Sequence, residues 1–139
     1  MACEIGVSSG GEMVKDKFYY YNLTETIIGC AYRVGTTLGN GFLEKVYENA
    51  LKIEMGTAGL SVVSQFPMSV LYQDQVVGDY YADMVVEDEI VIELKAVKKI
   101  EDIHFAQCQN YLKATGMKLG LLINFGGDRV QVRRVANGI

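Results

Sequence analysis

The stretch "ADMVVEDEIVIELKA", residues 82–96, constrains the fold more than any other part of the chain. Two valine- and isoleucine-rich runs flank Glu87-Asp88-Glu89, so the segment reads as two strands joined by a tight turn. A hairpin closing there pairs Val86 with Ile90 and Val85 with Val91, and sets Asp83 directly opposite Glu93. Directly opposed residues have Cβ atoms roughly 4.5–5.5 Å apart, a separation at which like charges destabilise. Two-residue alternation puts Val91, Glu93, Lys95 and Val97 on one face and Ile90, Ile92, Leu94 and Ala96 on the other. The second face is core. The first carries two carboxylates and an ammonium that folding does not ask for.

Two readings of that face follow. A divalent cation between Asp83 and Glu93 would turn repulsion into coordination, since carboxylate oxygens suit hard ions such as magnesium and manganese. Lys95 would then stand beside the ion, placed to orient a water or to hold negative charge developing on a phosphate. Alternatively, Lys95 neutralises one carboxylate in a structural ion pair on a solvated sheet face. These residues alone leave both readings open.

The remaining elements build layers around the hairpin. A helix opens at Asn22, where Asn22 and Glu25 have the spacing of a reciprocal cap, and Leu23, Ile27, Ala31, Val34 and Leu38 recur at helical period. Gly39-Asn40-Gly41 ends it, and a second helix follows over about 41–55. The aromatic run at 18–21 packs the first helix onto the domain, with base stacking as the less favoured use. From Leu60 the period becomes strand-like, with Pro67 marking an edge or a bulge. After the 82–96 hairpin comes a helix, "EDIHFAQCQNYLKATG", which carries acids in its first turn and Gly116 just past its end. On it, His104, Gln107 and Tyr111 share a stripe. "KLGLLINF" is apolar throughout and reads as a strand buried on both faces; "RVQVRRV" is the last strand, on which Arg133 and Arg134 face opposite ways. The order α-α-β-β-β-α-β-β implies an α/β fold, a mixed sheet between helices.

The chain has 139 residues, half of them hydrophobic, which suits one globular domain. Residues 1–21 are expected to form a mobile polar tail without the pattern of a secretory signal, and 22–139 the single domain. Cys3, Cys30 and Cys108 show no CxxC spacing, which excludes a zinc ribbon and fits a reducing cytoplasm. The net charge of -4 is unevenly spread: residues 1–94 hold five Lys and Arg against fourteen Asp and Glu, residues 95–139 eight against three. A polyanion would therefore meet the basic C-terminal third, where Arg129, Arg133 and Arg134 are candidates for phosphate contact.

Asp83 followed by Glu93-Leu94-Lys95 in a hairpin, with a helical Glu before it and a helical Gln-x-x-x-Tyr after it, resembles the PD-(D/E)XK nuclease superfamily. Within it, "GFLEKVY", with Gly41, Glu44 and Tyr47, resembles the signature of the small GxxExxY proteins, and the likeness runs over residues 22–135. The resemblance implies a restriction-endonuclease-like fold and metal-assisted phosphodiester hydrolysis, with DNA as substrate and magnesium, or manganese in its place, as cofactor. It implies that Asp83, Glu93 and the Leu94 backbone carbonyl ligate the ion, and that Glu44 supplements them. Lys95 would position the attacking water, while Gln107 and Tyr111 would place the DNA strand and the lysine. A homodimer is one expected assembly. Three positions depart from the pattern: Ala82 precedes Asp83 where many members have proline, and "VGTTLGNG" carries Gly35 and Asn40 where the family has histidine and proline. A nuclease fold that binds nucleic acid or a protein partner without catalysis is the alternative these departures raise.

Overall fold

The computed structural model describes residues 5–7, 13–15 and 17–137, with side chains from Lys17 onward. Its elements are β1 (Ile5–Val7), β2 (Met13–Lys15), α1 (Lys17–Leu38), α2 (Glu44–Thr57), β3 (Val62–Tyr72), β4 (Gln75–Val86), β5 (Ile90–Lys95), α3 (Asp102–Thr115), β6 (Leu119–Asn124) and β7 (Gln131–Ala136). Strands β1 and β2 pair with each other, and the other five form one mixed sheet in the order β3-β4-β5-β6-β7. The β5–β6 pairing is parallel, made by the α3 crossover, and the other neighbours run antiparallel. Pro67 lies on β3, the edge strand, where its missing N–H is harmless.

Alternation along the strands separates two cores. Met84, Val86, Ile90, Ile92 and Leu94 pack with Ile27, Val34, Tyr47, Leu51 and Met55 of α1 and α2. Val85, Val91 and Val135 pack with Cys108 and Leu112 of α3. The sheet is thus sandwiched, two helices on one face and one on the other, which is the α/β restriction-endonuclease-like architecture expected of the sequence. Each fully buried aliphatic side chain contributes about 1.5–3 kcal/mol. Strands β5 and β6, buried on both faces, are the centre of that stabilisation.

Helix α1 opens at Lys17, earlier than the expected start at Asn22. The cause is packing: Tyr19 and Tyr20 lie against the core, so the aromatic run continues the helix, while Phe18 and Tyr21 stay exposed. Asn22 is therefore a helix-interior residue whose carbonyl accepts from Thr26 Oγ1. The expected tail ends accordingly at Lys17; of the residues before it, 5–7 and 13–15 form the small ladder, and Cys3 lies outside the described residues. Helix α3 is capped at Glu101 by a reciprocal pair with His104, whose Nδ1 accepts the Glu101 N–H at 2.9 Å. His104 is thereby committed to the cap.

Three features explain loops around the later site. Tyr47 is buried, stacks on Phe125 with ring centroids 4.6 Å apart, donates to the Gly39 carbonyl at 2.6 Å and accepts from Phe42 N–H at 3.2 Å. It therefore ties the α1–α2 connection, in which Gly41 has φ 105, to the end of β6. At Gly35 a Cβ would overlap the Val130 side chain, so a histidine there is excluded by packing, and the Asn40 amide bonds the Gly127 carbonyl at 3.1 Å. Asn124, fully buried, accepts from Val97 and Gly126 N–H and donates to the Val97 carbonyl and to Gln131 Oε1, fixing the chain just after Lys95.

Gly126 lies against the backbone of Ala96 and Val97, where a Cβ has no room. The Gly126→Ala variant is expected to lose about 3 kcal/mol, the upper end of overpacking costs, because backbone cannot step aside as a side chain can. Urea unfolding measures it; a loss indistinguishable from zero would contradict the packing described.

Candidate active site

The hairpin register is the one expected: Val86 pairs with Ile90, Val85 with Val91, and Met84 with Ile92. There the ladder stops. Asp83 and Glu93 stand one step beyond the last pair, where β4 and β5 part. In place of a backbone carbonyl, Asp83 Oδ2 accepts the Leu94 N–H at 2.7 Å. Strand β5 stays in register with β6 through Glu93, Leu94 and Lys95, so the separation occurs on the β4 side alone. The direct opposition of Asp83 and Glu93 expected from the sequence is thus opened into a fork, because two carboxylates repel and a side chain supplies the bond that Leu94 needs.

Glu93 is 5% exposed and Asp83 half-buried. Glu93 Oε1 is buried with no hydrogen-bond partner among the described residues, and so is Gln107 Oε1. Lys95 Nζ is 3.9 Å from Glu93 Oε2, at the outer limit of an ion pair. Lys95 therefore compensates Glu93 incompletely, which weakens the purely structural ion-pair reading.

Burial pushes the Glu93 carboxyl up to about 8, and the neighbouring charge of Asp83 pushes in the same direction against Lys95. Asp83 is also raised by burial, opposed chiefly by the Leu94 N–H. The pair therefore shares one proton at neutral pH. We assign it to Glu93, the more deeply buried of the two, whose Oε1 has no partner.

Helix α3 roofs this fork. Tyr111 is pushed up to about 12, first by burial and then by the charges of Glu93 and Asp83, so its hydroxyl lies within the field of the pair. Cys108, buried one turn before Leu112, is likewise pushed up to about 12 by burial and by Glu93. The structure thus brings Asp83, Glu93, Lys95 and Tyr111 together, with Gln107 one turn before Tyr111 on the same helix. A cavity of about 700 Å³ opens beside them between α3 and the β3–β4 hairpin, lined by Gln107, Asn110, Tyr111 and Lys113 on one side and Met68 and Tyr80 on the other. Asp83 and Glu93 are not in its wall; Tyr111 links the two, lining the cavity and lying in the field of the pair.

Glu44 is placed differently from expectation. It is exposed in the first turn of α2, whereas Glu48, one turn further, is buried and its charge acts on Asp83. Glu48 accepts from Lys45 Nζ at 3.0 Å and from Gln65 Nε2 at 3.1 Å. The signal was present in the helical period, since Glu48 shares the stripe of Leu51 and Met55. The C-terminal arginines are dispersed: Arg134 is 3.3 Å from Glu25 Oε2 on α1, and Arg133 is exposed on the opposite face. Among the described residues no three His, Cys, Asp or Glu side chains converge into a ready cation cage. A cation here would rest on Asp83 and Glu93, with further donors from backbone or water. The orphaned Glu93 oxygen, on a pair whose shared proton a dication would displace, fits such an ion.

The sequence profile of the PD-(D/E)XK nuclease superfamily matches residues 21–135, and the chain belongs to that superfamily. Among solved structures, the crystal structure of SSO0001 superposes with a TM-score of 0.53 at 19% identity, over 88% of this chain and 61% of that one. The likeness is one of fold, and this chain spans about three fifths of that protein's length. A search of curated proteins finds no match. Members of the superfamily generally use divalent metals, consistent with the donor set at the fork. Among the described residues no helix is long and apolar enough to cross a membrane.

The raised Glu93 carboxyl makes a testable statement about pH. The folded state retains a proton that the unfolded chain releases near its ordinary value, about 4.3, so folding is progressively penalised from there to about 8. The metal-free protein is expected to lose stability, on the order of a few kcal/mol, as pH rises through that window. Glu93→Gln should flatten the profile. Thermal melts at a series of pH values check both; a wild-type profile that rises with pH would refute the assignment.

Proposed function

We propose that the chain is a divalent-cation-dependent nuclease that hydrolyses phosphodiester bonds in DNA, with magnesium as the working ion and manganese as substitute. One observation carries the reading: Glu93 presents a buried, unpartnered carboxylate oxygen beside Asp83, with a single distant ammonium to compensate the pair. A structural ion pair would leave neither an orphaned oxygen nor an alkaline instability. A bound dication removes both.

Asp83, Glu93 and the Leu94 carbonyl are assigned the ion; Glu48 supplies the third negative charge, taking the supplementary role that the resemblance gave to Glu44. When bound, the ion polarises a phosphoryl oxygen and makes a nearby water more acidic. Lys95 points its ammonium into the same fork, where it donates to the attacking water and offsets charge as it develops on the phosphate. Asp83 keeps its orientation through the Leu94 N–H, so the carboxylate does not reorganise during the reaction. Tyr111, on the boundary between fork and cavity, and Gln107, in the cavity wall, direct the strand being cut.

The small GxxExxY type fits within this reading through Gly41 and Tyr47, whose loop role is seen in the hydrogen bonds of the tyrosine hydroxyl. A reducing, cytoplasmic setting is supported by the free, buried Cys30 and Cys108. A homodimer is supported by the apolar outer hairpin, where Leu71, Tyr72, Val76 and Val77 are exposed.

The test is cleavage of linear, circular, branched and single-stranded DNA by purified protein with magnesium or manganese. At least one substrate should be cut, and Lys95→Ala should slow cutting by about 100-fold, as loss of one charge-stabilising donor does. Calorimetry should show manganese binding that Glu93→Gln abolishes. Binding of the ion without any cleavage would favour the non-catalytic binding module; absence of both would overturn the nuclease reading.

A further inference from the structure

Five non-glycine residues have positive φ among the described residues: Gln65, Gln73, Asp74, Glu87 and Asp88. The last four occupy the turns between β3 and β4 and between β4 and β5, where such angles are what a tight hairpin requires. Gln65, at φ 53, lies inside β3. No turn explains it, and the left-handed conformation is costly for a residue with a Cβ.

Its position is informative. In the β3–β4 ladder Ser64 pairs with Met84 and Phe66 with Ala82, and the step between them belongs to Gln65 and Asp83. A regular strand residue there would project on the same face as Asp83. The left-handed backbone instead turns the carboxamide to α2, where Nε2 reaches Glu48 Oε1 at 3.1 Å and Oε2 at 3.3 Å. Glu48 is buried, and the residue that bonds it stands opposite Asp83 in the ladder. Its other donor, Lys45, is an exposed side chain of the same helix, one turn away, and gives no anchor to the sheet. Gln65 is thus the link between the helical acid and the strand register of the fork.

We propose that Gln65 is a positioning residue for the cation site, its strained backbone serving to hold the Glu48 carboxylate beside Asp83 as a third negative charge. The proposal rests on the cation reading given above. A carboxylate fixed next to a two-carboxylate centre raises its attraction for a dication without needing to bond it. Lys45 offsets part of the Glu48 charge from the solvent side, and a neutral amide as the sheet-side partner removes no more of it.

The Gln65→Gly variant separates this role from a structural one, because glycine adopts φ 53 freely and the side chain it removes belongs to an exposed residue, so no core cavity opens. Three readouts are expected. The metal-free melting temperature stays at or above that of the wild type. The carboxyl-carbon resonance of Glu48 in isotope-labelled protein, assigned with Glu48→Gln, shifts as the donor is lost. Manganese affinity by calorimetry falls about 10-fold, the lower end of what partners outside the coordination sphere contribute. Glu48→Gln should weaken binding similarly and add nothing in the Gln65→Gly background. A lowered metal-free melting temperature, an unmoved Glu48 resonance, or additive losses in the double variant would each overturn the proposal. If the wild type takes up no manganese, the cation reading falls, and the resonance alone then decides whether Gln65 holds Glu48.

Discussion

The arrangement depends on one hydrogen bond, from the Leu94 N–H to Asp83 Oδ2. A buried backbone donor must find an acceptor, and in an antiparallel pair it would find the neighbouring strand's carbonyl. Here a side chain takes that place, so β4 leaves β5 after Met84 without stranding the amide. The separation gives two carboxylates room to coexist. Burial then sets their order, since Glu93 is the more deeply buried and its carboxyl is raised to about 8.

Departures from the rules of stable packing gather around this fork. They are a buried oxygen without partner on Glu93, another on Gln107, a buried acid on α2 and a left-handed residue inside β3 that bonds that acid. Ser64 Oγ, next to Gln65 on β3, is likewise buried without a partner, whereas Asn124 uses both ends of its amide and Thr24 Oγ1 donates to the Tyr21 carbonyl. Costs of this kind persist where function selects them, and their concentration in one place distinguishes a site from scattered imperfection.

Much of the fold follows from pattern. The Glu87–Glu89 turn fixed the pairing of Val86 and Val85, the apolar run at 119–124 marked a strand covered on both faces, and Gly116 marked the end of α3. What pattern could not supply was set by tertiary contact. The start of α1 was hidden because its extra turn is held by Tyr19 and Tyr20 against the core rather than by a capping residue. Glu44 and Glu48 share a stripe in the sequence; only the lie of α2 on the sheet decides which of them is buried. The angle of Gln65 leaves no trace in composition, since glutamine is unremarkable on an edge strand. The carboxylate pair was readable and its fork was not, because register gives opposition whereas the divergence is the response of the backbone to that opposition.

Charge then sets a sequence of events at the proposed site. The β3–β4 hairpin beside the cavity contains no lysine or arginine between residues 62 and 86, and the fork adds Asp83, Glu93 and Glu48. The basic C-terminal third does not converge there, since Arg134 is engaged with α1 and Arg133 projects from the other face. A phosphate approaching the bare fork would meet mainly Lys95 and Lys113 against a surplus of carboxylate. With a dication present the local sign reverses, and the same acids that repelled the polyanion become the means of holding its counterion. Cation before strand is therefore the order that the electrostatics of this surface favour, and under the proposed function the aromatic and apolar lining of the cavity, Tyr80 and Met68 with Tyr111, would hold a strand independently of charge.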